Sequence, residues 1–197
     1  MLSKAAVLLY PGCIFFEVAL AAETLAEHMP IQYYTPDGQT HIASNGAHIQ
    51  ASGDLEALAV APVAAVLVPG GDPRSILLPV PLATAPLRAQ AERGALLAGI
   101  CAGSLVLASA GLLVGRRGTH NYTTEHAPPD KVAATARFWE GMHFERANLV
   151  QDGQLITAQP WAYRQFAAAV AKHLGVLETE GAAALEAYVT RRAYGAA

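Results

Sequence analysis

A single cysteine flanked by glycines is the residue of this sequence best suited to covalent chemistry. Cys101 follows an apolar run that ends at Gly99, and Gly103 precedes a run that is compatible with a helix. Glycines let the backbone turn tightly, so this spacing predicts a strand, a sharp turn and a helix, with the thiol exposed at the turn. Free N–H groups and the helix dipole favour an anion there, so we expect a lowered cysteine pKa and a reactive thiolate.

The same segment allows two other interpretations. Free cysteine is among the residue types most often buried, so Cys101 could be a structural residue of the core. Residues 94–115 also contain no charged side chain and are long enough to cross a bilayer. Glycines and two serines dilute that apolar character, and the rest of the chain alternates strand and helix signals. This alternation favours an α/β domain over a membrane helix.

Size, charge and cysteine content limit the class of protein further. The chain has 197 residues, enough for one domain over residues 1–197 with a full core. Its 13 basic and 16 acidic side chains give a net charge of −3, which favours neither nucleic acid nor a membrane as a partner. The two cysteines, Cys13 and Cys101, cannot form a disulfide framework, and the first residues do not resemble a signal peptide. We therefore expect a cytoplasmic protein.

The elements around Cys101 must bring other groups to it. Apolar runs predict buried strands over residues 5–10 and 63–68, with a helix over 15–27 after the first of them. Ligands of open α/β sheets bind at the carboxyl ends of the strands, so the loop Pro69-Gly70-Gly71 should face the cysteine. Three further expectations are a hairpin over residues 41–51 on the sheet edge, a helix over 87–93 after several prolines, and an irregular helix over 123–135.

Three motifs carry a resemblance to a known family. The sequence reads VPGG at residues 68–71, ICAGS at 100–104 and VQDG at 150–153. In these motifs and their order it resembles the DJ-1/PfpI superfamily, also called the ThiJ or class I glutamine amidotransferase-like group. The resemblance implies a flavodoxin-like three-layer α/β sandwich with a mostly parallel central sheet, a nucleophile elbow at Cys101 and a homodimer.

The resemblance also implies an acidic partner for the cysteine on the first helix. Glu17 occupies that place, beside Phe15, Phe16 and Val18, although it could also be an ordinary surface glutamate. A carboxyl group against apolar side chains has a raised pKa, and when protonated it can donate a hydrogen bond to a thiolate and pass the proton to a substrate.

Backbone groups and one polar segment complete the expected site. The N–H groups of Gly70, Gly71 and Ala102 are candidates for binding substrate or an oxyanion. Many members of the superfamily carry a histidine twenty positions after the cysteine, where this chain has Asn121, with His120 one place earlier. A step of one residue turns a strand side chain to the other face, so the sequence leaves open which of the two faces the thiol.

Motifs after the cysteine suggest a branch of the superfamily. SLVL at residues 104–107, AGLL at 110–113 and GRR at 115–117 most resemble the isocyanide hydratases. We therefore expect a cysteine-dependent enzyme that hydrates isocyanides or converts small aldehydes as glyoxalases do, with no metal or organic cofactor. Peptidase activity is not expected, because PfpI-type proteases need a histidine where Ala102 stands. An oxidative-stress sensor that forms a sulfinic acid at Cys101 and a non-catalytic regulatory module remain as alternatives.

Overall fold

The centre of the computed structural model, which describes residues 4–192, is a six-stranded sheet. Its strand order is β2-β1-β5-β6-β10-β9, and every neighbouring pair is parallel except β9 with β10. The strands of the described chain are β1 (Lys4–Leu8), β2 (Ile31–Tyr34), β3 (His41–Ile42), β4 (His48–Ile49), β5 (Val63–Val68), β6 (Leu96–Ile100), β7 (Arg117–Gly118), β8 (His143–Phe144), β9 (Leu149–Asp152) and β10 (Leu155–Ala158).

Two groups of helices cover this sheet. One group contains α1, which packs against α7, and α8, which packs against α7; the other contains α4, which contacts both α2 and α5. The helices are α1 (Phe16–Ala26), α2 (Leu55–Val60), α3 (Arg74–Leu77), α4 (Thr84–Glu92), α5 (Ala102–Ser109), α6 (Pro129–Thr135), α7 (Tyr163–His173) and α8 (Thr179–Arg192). The central strands are almost wholly apolar because both faces of the sheet are covered, and this three-layer arrangement is the expected fold class.

The topology brings three loops together at one edge of the sheet. From β1 the chain passes through α1 to β2 on one side, whereas β5 and then β6 lie on the other side of β1. Such a change of direction opens a crevice at the carboxyl ends of the strands. The segments after β1, β5 and β6, which contain Gly12, Gly70 and Cys101, therefore meet there.

Three expectations about local structure were wrong. β3 and β4 form a separate two-stranded sheet, because β3 and the loop after it bond to the turn after β1: Gly12 N–H donates to Ile42 O at 2.9 Å, and Ser44 N–H donates to Cys13 O at 2.9 Å. Helix α4 begins at Thr84 rather than 87, since Pro86 lies in its first turn, where its missing N–H is tolerated. Residues 123–128 precede α6, which begins at Pro129.

The apolar segment over residues 94–115 is divided between two short elements. It contains β6 and the eight-residue helix α5, and the positive φ of 74° at Gly111 follows the end of that helix. No helix within residues 4–192 is long and apolar enough to cross a membrane.

Candidate active site

Cys101 occupies a strained turn between β6 and α5. Its backbone has φ 56° and ψ −126°, and no other non-glycine residue of the described chain has a positive φ. The conformation is fixed from both sides, because Cys101 N–H donates to Ala158 O on β10 at 2.9 Å and α5 begins at the next residue. Strained backbone of this kind persists only where the surrounding structure enforces it. The half-buried side chain thus stands at the carboxyl edge of the sheet.

Two glycines let α5 lie directly on the ends of the strands. A Cβ atom at Gly103 would lie 1.9 Å from Val68 O at the end of β5. A Cβ atom at Gly99 would lie 2.7 Å from Gly103 O. These close approaches leave no room for a side chain, and they explain the glycine spacing around Cys101 in terms of packing.

The Glu17 carboxyl reaches Cys101 from the first turn of α1. Glu17 is only 2% exposed, and its Oε2 accepts a hydrogen bond from Gly70 N–H at 2.7 Å. A Cβ atom added at Gly70 would lie 2.6 Å from both Cys101 Sγ and Glu17 Oε2. The thiol and the carboxyl therefore meet over the bare Cα of Gly70.

Burial raises the pKa of both groups. Desolvation raises the pKa of Glu17 from 4.5 to about 7, although hydrogen bonds from Gly70 N–H and the Cys101 thiol act in the opposite direction. Desolvation and the charge of Glu17 raise the pKa of Cys101 to about 12, against the lowering effect of the Ala102 and Gly71 N–H groups. The expected lowering of the cysteine pKa is therefore wrong beside an ionised Glu17, because two N–H groups do not outweigh burial and a neighbouring anion.

Once the first proton has left, the two groups share the one that remains. Two negative charges at this separation are unfavourable, so the pair holds a proton either on sulfur or on the carboxyl oxygen. With the proton on Glu17, the sulfur is a thiolate that accepts a hydrogen bond from the carboxyl and from the N–H groups of Gly71 and Ala102. This arrangement can generate a nucleophile and keep its proton within reach of the reacting atoms.

The three backbone groups expected to bind an oxyanion differ in their surroundings. The N–H groups of Gly71 and Ala102 are directed at Cys101 Sγ, beside which a reacting carbon would lie. Gly70 N–H is instead occupied by Glu17, so it is not free to bind an oxyanion and serves to hold the carboxyl. Gly71 has a φ of 126°, and a Cβ atom there would lie 2.7 Å from Gly12 O.

His120 and Asn121 make no hydrogen bond to Cys101 in the described chain. The buried His120 ring stacks on Trp139 with 3.9 Å between centroids, and its Nδ1 accepts a hydrogen bond from Tyr122 N–H at 3.1 Å. Burial lowers the pKa of His120 to about 4, so the ring is neutral at physiological pH. The buried Oδ1 of Asn121 has no hydrogen-bond partner among the described residues.

A cavity of about 780 Å³ is lined by Gly71, whose N–H is directed at Cys101 Sγ, although neither Cys101 nor Glu17 itself lines it. Tyr122 also lines it, and its apolar lining includes Ile14 after β1, Leu77 of α3, Leu105 of α5 and Phe138. Charged side chains of Asp130, Lys131 and Arg137 stand on the rim. A small molecule with an apolar body fits such a space.

Sequence reasoning missed Tyr122 in this site. A negative charge on Cys101 contributes to raising the pKa of its phenol, after the larger effect of burial. The sequence left open whether His120 or Asn121 faces the thiol. Extending that question by one residue would have made Tyr122 a candidate as well.

Trp161 packs neither in the core nor in this cavity. It is 51% exposed, and its Nε1 donates to Asn148 Oδ1 at 2.8 Å.

The described residues contain no group of three or more His, Cys, Asp or Glu side chains arranged to hold a metal ion. The polar groups around Cys101 are a carboxyl, backbone N–H groups and a phenol. The site thus offers acid, base and hydrogen-bond donor functions from the chain itself.

The fold is a three-layer α/β sandwich, and its site has a strained cysteine between a strand and a helix, with a buried glutamate beside it. Together these features define a class of proteins with a nucleophile elbow at a cysteine. The profile of the DJ-1/PfpI family matches residues 3–173, and the chain belongs to this family. A comparison with curated proteins finds no match. Membership supports a cysteine-based role in general, either as an enzyme or as a stress sensor.

Solved structures of this family are similar over nearly the whole chain. A DJ-1 superfamily protein of Agrobacterium tumefaciens is 25% identical with a TM-score of 0.80, and the match covers 95% of this chain and 98% of that one. DJ-1beta of Drosophila melanogaster is 25% identical with a TM-score of 0.76, covering 96% and 98% respectively. A cysteine-to-alanine mutant of a DJ-1 superfamily protein of Salmonella typhimurium, 23% identical with a TM-score of 0.74 and coverage of 98% and 100%, shares the fold.

Proposed function

We propose that this protein is a cysteine-dependent enzyme that adds water to a small electrophilic molecule, as isocyanide hydratases or glyoxalases do. Cys101 is the nucleophile and Glu17 transfers the proton. The single observation that carries the proposal is the meeting of Cys101 Sγ and Glu17 Oε2 over Gly70. A structural cysteine needs no buried acid beside it, whereas a nucleophile that must gain and lose a proton does.

For an isocyanide, the reaction proceeds in two additions. Glu17 takes the thiol proton, the Cys101 thiolate forms a C–S bond to the terminal carbon, and that carbon takes the proton from Glu17 to give a thioimidate. Water then adds to the same carbon while the nitrogen takes a proton. The C–S bond breaks, the hydroxyl proton returns to the Cys101–Glu17 pair, and an N-formamide leaves. The sum is isocyanide plus water.

For a 2-oxoaldehyde, the same groups perform a different sequence. The thiolate adds to the aldehyde carbon, whose oxygen takes the proton from Glu17 to form a hemithioacetal. Glu17 next moves the hydrogen of that carbon, as a proton, to the neighbouring carbon, while the hydroxyl proton passes to the former ketone oxygen, and a thioester results. Water hydrolyses the thioester to a 2-hydroxy acid and restores the thiol. In both reactions the N–H groups of Gly71 and Ala102 stabilise developing negative charge.

Neither reaction sequence needs a cofactor. Each is a net addition of water, and no electron enters or leaves the substrate and enzyme taken together. We therefore propose that the protein works without a metal or organic cofactor, on a small molecule and not on nucleic acid or a membrane. We also propose that it is a single domain, forms a homodimer and functions in the cytoplasm, as the family resemblance implies.

A redox sensor is the second candidate. A hydrogen bond from a protonated Glu17 would stabilise a sulfinate at Cys101, and the raised pKa of this carboxyl favours the protonated form. In this case the Cys101–Glu17 pair would promote oxidation of the sulfur rather than turnover of a substrate.

Turnover assays with cysteine variants test the proposal. Purified protein is assayed with an aryl isocyanide and with methylglyoxal, next to the variants C101S and C13S. Cys13 is the matched control, because it is a buried free cysteine outside the proposed chemistry. Turnover that C101S abolishes and C13S retains supports the enzyme. Absence of turnover, together with a mass gain of two oxygen atoms on Cys101 after mild peroxide, supports the sensor instead.

A further inference from the structure

We propose, on the basis of the enzymatic function above, that Tyr122 is a catalytic residue whose hydroxyl donates a hydrogen bond to the substrate heteroatom bonded to the attacked carbon. That atom is the nitrogen of an isocyanide or the oxygen of an aldehyde. In either case it gains negative charge during an addition step. A donor fixed at this place lowers the barrier to that step.

The position of Tyr122 is the first support. Tyr122 lines the same cavity as Gly71, whose N–H is directed at Cys101 Sγ. Charges on Cys101, Asp72 and Glu17 all contribute to raising the pKa of its phenol, behind the effect of burial, so the phenol is electrostatically coupled to both members of the reacting pair. The phenol therefore stays protonated at physiological pH and can act only as a donor or a neutral acceptor.

The hydroxyl of Tyr122 is available to a ligand. Within residues 4–192 it makes no hydrogen bond to the protein, whereas the hydroxyl of Tyr10, also near Cys101, donates to Pro69 O at 2.9 Å. Tyr10 thus holds the loop after β5. A free phenol in the wall of a largely apolar cavity has, by contrast, a bound molecule as its natural partner.

The segment that carries Tyr122 is held rigidly. Thr119 N–H donates to Thr157 Oγ1 at 2.8 Å, and Gln159 Nε2 donates to His120 O at 3.0 Å. His120 Nδ1 accepts from Tyr122 N–H at 3.1 Å while its ring stacks on Trp139. His120 is therefore a positioning residue, which directs the phenol into the cavity without touching the sulfur.

The Tyr122→Phe variant tests the proposal directly. Because the hydroxyl has no partner in the described protein, phenylalanine preserves the packing and the variant should fold. We expect a fall in kcat/KM of about 10- to 100-fold on the isocyanide or aldehyde that the protein turns over. The rate at which iodoacetamide alkylates Cys101 should stay within about twofold of wild type, since this reagent needs only the thiolate. Tyr34→Phe on β2 is the matched control and should leave both rates unchanged.

Each other outcome overturns the proposal. Wild-type kcat/KM in Tyr122→Phe would show that the hydroxyl does not act in turnover. Equal losses in turnover and alkylation would indicate a structural role. Full turnover by C101S would instead remove the proposed enzymatic function itself, so the two failures can be distinguished.

A double-mutant cycle tests the role of His120. His120→Phe keeps a ring against Trp139 but removes the acceptor for Tyr122 N–H. We expect it to lower kcat/KM without changing alkylation, and to add little to the loss in Tyr122→Phe. Losses that multiply in the double variant would show that His120 acts independently of the phenol and would overturn its positioning role.

Discussion

Cys101 and Glu17 behave as one titrating unit, and this determines how the thiol reacts. Ionised Glu17 raises the cost of ionising Cys101, and burial beside Gly70 raises the cost of ionising either group. The first proton that the pair loses belongs to neither residue alone. After it has left, the remaining proton can reside on the carboxyl, and the sulfur is then a thiolate. Reactivity of the sulfur should therefore follow the pKa of the pair.

The pH dependence of alkylation checks this coupling. In the wild type the rate of Cys101 modification by iodoacetamide should rise through an inflection near pH 7, where the pair loses its first proton. In Glu17→Gln the carboxyl is gone, so this inflection should disappear and the rate should follow the ionisation of sulfur alone. Modification is measured by mass spectrometry between about pH 5 and pH 10. An inflection near pH 7 in both proteins would contradict a shared proton.

Stability should fall as Glu17 ionises. Its folded-state pKa of about 7 lies above the unfolded value near 4.5, so the folded protein binds this proton more tightly. The effect on stability is fully favourable below about pH 4.5 and is lost as pH rises through about 7. Urea unfolding of wild type and Glu17→Gln at pH 5 and pH 8 measures it. The wild type should lose on the order of 3 kcal/mol relative to the variant, and an unchanged difference would refute the raised pKa.

The sequence predicted the nucleophile better than its environment. Glycines at 99 and 103 identified Cys101 from local geometry, but Glu17 required the family resemblance because it lies far away in sequence. Burial of the pair arises from tertiary packing, so the direction of the cysteine pKa was predicted wrongly. Tyr122 was missed for the same reason: only the bond from its N–H to His120 reveals how the turn directs its ring.

At the scale of elements, the close approach of α5 to β5 determines where the thiol stands. Gly103 provides this contact, since any Cβ atom there would overlap Val68 O. Gly181 in α8 is also a helical glycine, but a Cβ atom there would lie 3.5 Å from the nearest atom, a side-chain carbon of Leu177. The two positions form a matched pair.

Alanine substitutions at these glycines should have opposite effects. Gly103→Ala must push α5 away from β5, so we expect a loss of at least about 3 kcal/mol in unfolding free energy, or failure to fold. Gly181→Ala should be neutral or stabilise by up to about 1 kcal/mol, since it replaces a glycine in the first turn of α8 by a better helix former without a clash. Thermal and urea unfolding provide the values. Comparable stability of both variants would contradict the tight contact.

Strands were easier to predict than the connections between them. The apolar run over residues 63–68 forms β5 with the expected bounds, because a strand buried on both faces is apolar throughout. The hairpin of β3 and β4 was placed on the wrong sheet, since nothing in its sequence shows that Ile42 O accepts from Gly12 N–H. Local patterns identify an element, while its partners depend on the whole chain.

At the scale of the whole molecule, exposed aromatic side chains indicate where a second copy would bind. Phe16 is 55% exposed and meets Tyr163 edge-on with 5.6 Å between ring centroids. Trp161, two residues before Tyr163, is also largely exposed. Apolar clusters of this kind on a folded domain are typical of protein interfaces. We place the proposed homodimer contact on this surface.

A charge at Phe16 should disrupt the dimer. Phe16→Glu places a carboxylate at the start of α1, where the helix dipole tolerates it, but within the proposed interface. Sedimentation equilibrium should give a dimer for wild type and a monomer for this variant at micromolar concentration. Val60→Glu is the control, because Val60 at the end of α2 is an exposed apolar residue, at 71%, away from this surface. A dimer in all three proteins would refute the placement.

The walls of the cavity lie outside the six-stranded sheet. Ser44 comes from the loop between β3 and β4, Leu77 from α3 and Phe138 from the turn after α6, whereas the thiol and its carboxyl are held by β6, α5 and α1. In the proposed enzyme, most residues that would set substrate preference therefore lie in other parts of the chain than the reactive pair, with Leu105 of α5 and Tyr122 as exceptions. A directed-evolution library confined to these peripheral segments should retarget the proposed enzyme toward new molecules without altering Cys101 or Glu17.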